Sequence, residues 1–177
     1  MIIMFRIWSC RNGDDTMELE MDIEDLLSKR KLESDRIEFK TGWNPDDIYH
    51  SVCAFANDYN NDGGGYIVVG VEEKNGVAKR PVKGLPEYML DSIQKDMLGY
   101  NNLISPPYFP QGIPAEVDGK WIFIIVVRTG QQRPYKSPEH VTSKKEKSTI
   151  IIFVIKQVLL RQFVSIQKNS LDILMYR

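Results

Sequence analysis

Apolar and polar positions alternate in recognisable periods along most of the chain. From Asp22 to Leu32, Ile23, Leu26 and Leu27 form one apolar face, with acids early and Lys29, Arg30 and Lys31 late. This pattern predicts a short helix aligned with its own dipole. Over 36–40 the period drops to two. Ile37 and Phe39 point one way, Glu38 and Lys40 the other, as in a half-buried strand. Asn44 in capping position, Pro45 at the first helical position and Asp46 and Asp47 in the first turn mark a helix start. Ile48, Val52, Phe55 and Ala56 then recur at helical spacing to about Asn57.

DYNNDGGG follows as a loop, and Tyr66–Val71 is a continuous apolar run suited to a strand buried on both faces in mid-sheet. Asn75-Gly76 signals a turn. Residues 86–98 read as an amphipathic helix starting at Pro86, carrying Met89, Ile93 and Met97, and stopped by Gly99. Ser105–Pro110 is extended and irregular. Ile113, Ala115 and Val117 alternate, Asp118-Gly119 turns, and Lys120–Val127 returns, the clearest hairpin in the chain. A polar arm spans 129–148. The apolar run 149–164, interrupted by Lys156 and Arg161, is too short and too charged for a membrane span and reads as a buried strand.

Composition adds little to this until charge is resolved along the chain. With 177 residues, 42% hydrophobic and 27% charged, one ordinary domain is expected. A net charge of −1 points to neither nucleic acid nor membrane. Yet residues 14–25 hold seven acids and no base, whereas 128–147 hold six bases (Arg128, Arg133, Lys136, Lys144, Lys145 and Lys147) against Glu139 and Glu146. Such an arm suits phosphate contact, or is simply a solvated loop. Two cysteines and two histidines in no ligand-like spacing nearly exclude a Cys/His zinc site, and a reducing, cytoplasmic setting is the default. The start, MIIMFRIWSC, has neither the basic region nor the cleavage site of a secretory signal. With Met17 and Met21 ahead of the first patterned segment, residues 1–16 read as an extension upstream of the domain.

Carboxylates offer the main candidate chemistry. Glu33, Glu38 and one of Glu72 and Glu73 flank the first and central strands; convergent, they would suit Mg²⁺ or Mn²⁺, which take oxygen ligands and activate water on a phosphodiester. Lys40, on the face of Glu38, would neutralise a phosphate. The alternative is exposed acids at strand ends, one paired with Lys40. Gly63–Gly65 precede a strand, the reverse of a dinucleotide fingerprint, and no G-x-x-x-x-G-K-S/T occurs. They read as a tight turn with close backbone packing.

ESDRIEFK, AFAND, GGGYIVVGVEE, the DGK turn and RPY at Arg133–Tyr135, in this order, resemble the AlbA-like domain of the Schlafen family over roughly residues 22–148. Its bacterial branch is described as a DNA-binding domain of transcriptional regulators and helicase-related proteins. The resemblance implies a single α+β domain, a mixed sheet with a β-hairpin and two or three packed helices, at 17–148. It also implies nucleic acid, DNA or RNA, as partner. In the vertebrate Schlafens it further implies a metal-dependent RNA-cleaving site of three acids, which falls on Glu33, Glu38 and Glu73, with Glu in the last place where those nucleases have Asp. Their zinc-binding Cys/His set has no counterpart. Residues 149–177 depart from the family as an atypical apolar tail. Read one base earlier, with permissible codons, TIIIFVIKQVLLRQ becomes Asn-Tyr-Tyr-Phe-Arg-Tyr-Lys-Ala-Ser-Ser-Ile-Lys-Ala, close to the family pattern. A frame change from about Ser148 is therefore expected, and the gene's codons test it.

Three readings follow. The first is a nucleic-acid-binding module contacting phosphates through Lys40, Arg133, Tyr135, Lys136, Lys144, Lys145 and Lys147. The second is a metal-dependent endoribonuclease using Glu33, Glu38, Glu73 and Lys40, with Mg²⁺ or Mn²⁺. The third is a non-catalytic protein-interaction or homo-oligomerisation domain, suggested by the apolar tail. No membrane partner is expected.

Overall fold

The computed structural model describes residues 22–28 and 36–143, and the backbone of 149–155 and 158–164. The fold is built on the apolar run near its centre. Helix α1 (Ile23–Ser28) precedes strand β1 (Ile37–Lys40), helix α2 (Pro45–Asn57) and strand β2 (Gly65–Val69). All five residues of β2 are buried, because it lies inside a four-stranded sheet. A small hairpin, β3 (Glu73–Lys74) and β4 (Val77–Ala78), follows, then helix α3 (Tyr88–Asn101) and the long hairpin β5 (Gln111–Val117) and β6 (Lys120–Val127). The sheet order is β1-β2-β6-β5. β1 pairs with β2 in parallel, Ile37 opposite Tyr66, and the other pairs are antiparallel. The sheet is mixed and the fold is α+β.

Alternation along β2 and β6 divides the core between the two faces. Ile67, Val69, Phe123, Ile125 and Val127 pack with Ile48, Val52 and Phe55 of α2 and with Ile93 and Met97 of α3. Tyr66, Val68, Ile122 and Ile124 pack on the other face with Leu26 and Leu27 of α1, Ala78 and Val82. Each fully buried Val, Ile or Leu contributes about 1.5–3 kcal/mol. On this second face Arg80 bridges Glu24 of α1 at 2.9 Å and Asp118 of the β5–β6 turn at 2.5 Å.

Several expectations change in detail. Asn44 stands in extended conformation at the cap of α2, but its side chain makes no capping bond; Pro45 and the two aspartates mark the start instead. α3 begins at Tyr88 rather than Pro86 and runs through Gly99 to Asn101. Packing overrides the glycine: Asn101 is buried and its Oδ1 accepts the Tyr49 hydroxyl at 2.6 Å. The polar arm contains strand β7 (Lys136–Pro138). The apolar run after it is two strands, not one. β8 (Thr149–Ile155) and β9 (Val158–Val164) pair antiparallel in a second sheet of order β7-β8-β9, with Lys156 falling between them. Residues 1–16, the end of the first predicted helix after Ser28 and residues 165–177 lie outside the described residues.

The glycine run enters β2 as a tight turn. Gly64 has φ +82°, and a Cβ there would lie 2.0 Å from the carbonyl oxygen of Val127. Gly64→Ala is therefore expected to cost about 3 kcal/mol or more, as strain and overpacking combine. Chemical denaturation would read this as a lowered midpoint at unchanged slope.

Candidate nucleic-acid interface

Helix α2 carries polar groups at both ends, and each end fastens a different part of the chain. At its C-terminal end, Asn57 and Asp58 are both buried. The Asn57 carboxamide accepts the Tyr135 N–H at 2.6 Å and donates to the Tyr135 carbonyl at 3.0 Å, imitating one rung of a β-ladder. Asp58 takes a left-handed conformation, φ 31°, and turns the chain out of the helix. Its carboxylate accepts the N–H groups of Asp62, Gly63 and Gly64 and the Thr129 hydroxyl. Burial works to raise this carboxyl, but the Thr129 hydroxyl and the three N–H groups outweigh it and hold it below the usual carboxylate range.

Two arginines take up carbonyls around the same turn. Arg36 Nε donates to Gly64 O at 2.8 Å and its Nη2 to Gly63 O at 2.9 Å. Arg133 Nη1 donates to Asp58 O and to Asn61 Oδ1, each at 2.9 Å. Tyr135 is buried, its ring edge-on to Tyr108 with centroids 5.2 Å apart, and its hydroxyl accepts the Gln132 N–H at 3.1 Å. Burial pushes the Tyr108 phenol up to about 12.

At the N-terminal end, two adjacent aspartates reach in different directions. Asp47 Oδ2 accepts from Lys40 Nζ at 2.5 Å, and the same ammonium lies 3.2 Å from Glu38 Oε1. Asp46 reaches the polar arm. Its Oδ1 accepts the Thr142 N–H at 3.0 Å and the Thr142 hydroxyl at 3.1 Å, and its Oδ2 faces His140 Nδ1 at 3.2 Å. The segment 129–143 therefore runs past α2 from its last residues to its first turn. Between these ends, Cys53 Sγ lies 3.2 Å from the Tyr135 carbonyl, and β8 packs alongside the helix.

The predicted site residues are thus distributed unevenly. Glu38 and Lys40 come together on the α2 side of the sheet. Glu73 is exposed on β3, in the small hairpin whose Ala78 belongs to the opposite core face. Arg133 is exposed and Lys136 half-buried. Glu33, Lys144, Lys145 and Lys147 lie outside the described residues. Among the described residues, no three His, Cys, Asp or Glu side chains group as a metal ion would require. The Lys40 ammonium lies against both Glu38 and Asp47, and Glu33, the first of the predicted ligands, lies outside the described residues.

Sequence reasoning missed the organising residues Arg36, Asp46, Asp47, Asn57, Asp58, His140 and Thr142. Asp46 and Asp47 were readable only as partners of the helix dipole. The usable signal was Asn-Asp at the end of a helix directly before a glycine loop, a common way to turn a chain with side-chain oxygens.

Replacing Asp58 by Ala strands several donors and is expected to cost about 2–4 kcal/mol at neutral pH. Because its folded pKa is depressed below 3.8, this stability is present above the unfolded value and is lost as pH falls through the folded one. The gap between wild type and Asp58→Asn in urea midpoints should hold between about pH 7 and 5 and narrow below about pH 4.

Among the described residues no helix is long and apolar enough to cross a membrane. No curated protein matches the chain. It is similar to the solved N-terminal domain of an ATP-dependent DNA helicase RecG-related protein from Nitrosomonas europaea, with 24% identity and a TM-score of 0.46, over 77% of this chain and 84% of that one. It is also similar to the DIP2311 protein from Corynebacterium diphtheriae, with 17% identity and a TM-score of 0.46, over 75% of this chain and 25% of that one. The family model described as Schlafen, AlbA_2 matches residues 33–158, from the first predicted acid to the start of β9. On that match, well over half its length, the chain belongs to the Schlafen AlbA_2 family.

Proposed function

We propose that this domain binds nucleic acid through the basic segment 128–147. The observation that carries the reading is the double fastening of that segment to α2, by Asn57 at one end and Asp46 at the other. Cations held at fixed positions meet a phosphate backbone without first being ordered, so less binding energy is lost on contact. Arg128 and Arg133 are exposed along the fastened part, Lys136 is half-buried, and Lys144, Lys145 and Lys147 follow it in sequence. Membership of the Schlafen AlbA_2 family supports nucleic acid as the partner. Contacts of this kind position a backbone and carry no base readout of their own.

Two residues of the sequence-based set take other roles in this reading. The Lys40 ammonium is matched by two carboxylates and contributes little to a phosphate surface. Tyr135 is buried and serves the interface by fixing the path of the segment.

The test is binding of labelled tRNA and duplex DNA at about 50 and 200 mM salt, with and without Mn²⁺. Affinity is expected to fall steeply with salt and to be indifferent to Mn²⁺. Reversing Lys144 and Lys145 to Glu should flatten the log–log salt slope by about 1.8, or about 0.9 per lost contact, and weaken binding about tenfold or more. Glu38→Gln should leave binding unchanged. Salt-insensitive binding, or a reversal variant that binds like wild type, would sink the proposal.

A further inference from the structure

The contact between Asp46 and the polar arm exceeds what a first-turn aspartate needs. Complementing a helix dipole requires only a negative charge near the first N–H groups. Here both carboxylate oxygens are engaged, and their partners lie on a different segment: the N–H and hydroxyl of Thr142 and the ring of His140. Burial works to raise the Asp46 carboxyl, yet Thr142 and His140 outweigh it and hold it below the usual range, so it stays ionised at neutral pH. The result is an acid bonded to the chain segment, 128–147, that holds six bases in sequence.

That placement is electrostatically wrong for a residue touching a polyanion, and right for one that acts through its neighbours. We infer that Asp46 is a positioning residue for nucleic-acid binding: it pins the basic segment to the first turn of α2 and does not touch the nucleic acid. The inference rests on the function proposed above. Charge and position predict opposite signs. Loss of a negative charge near the interface would by itself tighten binding to a polyanion. Loss of the pin leaves the segment to be ordered at the moment of binding, and weakens it.

The experiment compares the full chain with Asp46→Ala, Asp46→Asn and Thr142→Val. Asp91→Ala, an exposed acid in the first turn of α3, is the charge control. Binding of labelled duplex DNA and tRNA is measured at fixed low salt, and amide hydrogen exchange over residues 139–143 is followed on the same samples. Asp46→Ala should weaken binding roughly three- to tenfold, the scale of one or two hydrogen bonds, and speed exchange at the Thr142 amide. Asp46→Asn keeps a carbonyl acceptor for Thr142 and should recover most of both effects. Thr142→Val should shift both in the same direction as Asp46→Ala, which keeps the comparison decisive where the alanine variant melts early. Asp91→Ala should not weaken binding. An Asp46→Ala protein that binds as tightly as wild type or more tightly, or that leaves Thr142 exchange unchanged, overturns the inference alone. A wild-type chain that binds neither nucleic acid overturns the proposed function and this inference with it, and Thr142 exchange then reports only whether the pin exists.

Discussion

The structure depends most on how the end of α2 disposes of its polar groups. A helix terminus leaves backbone carbonyls without partners, and a buried one must find them. Here Asn57 closes a ladder-like pair with Tyr135, while Asp58 turns the chain and gathers three N–H groups and a hydroxyl. Arg36 and Arg133 then supply donors to the carbonyls of Gly63, Gly64 and Asp58. The residues just ahead of β1, the loop before β2 and the segment after β6 are thereby tied to one helix end. Removing Asn57 or Asp58, both buried, leaves partners stranded, which is costlier than the net worth of the bond suggests.

Periodicity made much of this fold legible. β1 and β5 follow from their alternation, α2 from its start signals and helical spacing, and the hairpin from its Asp-Gly turn, although α2 is buried all round from Ile48 to Asn57 and β6 packs on both faces. The run at 149–164 failed for the corresponding reason. Nine of its first eleven residues are apolar or β-branched with no glycine or proline among them, so nothing in the pattern marks where β8 ends and β9 begins. The end of α3 failed because Asn101 is held by Tyr49 from another helix, information no local window contains.

The candidate site was legible as residue types more than as contacts. The glycine run was readable as a structural turn, and Gly64 against Val127 explains why only glycine fits. Glu38 and Lys40 were readable as neighbours on one strand face; the Asp47 carboxylate that shares the same ammonium comes from the following helix, seven residues on, and was not. Arg133 and Tyr135 stood out by family pattern, but their bonds to Asn57, Asp58 and Asn61 cross more than seventy residues of sequence. Long-range partners of this kind are set by topology, which a one-dimensional pattern does not carry.

A chain of net charge −1 can hold a locally basic segment only if its acids lie or are paired elsewhere. Many of the described acids are. Asp58 is surrounded by N–H donors, Asp47 and Glu38 share Lys40, Glu24 and Asp118 share Arg80, and Glu72 meets Lys79 at 2.8 Å. These pairings match lysines and arginines of the body of the domain with its acids, whereas residues 128–147 hold six bases against two acids. Asp46 is used differently, bonded to Thr142 and His140 of the basic segment itself. Near-neutral total charge and a local cationic surface are therefore compatible, because charge pairing within the fold separates them.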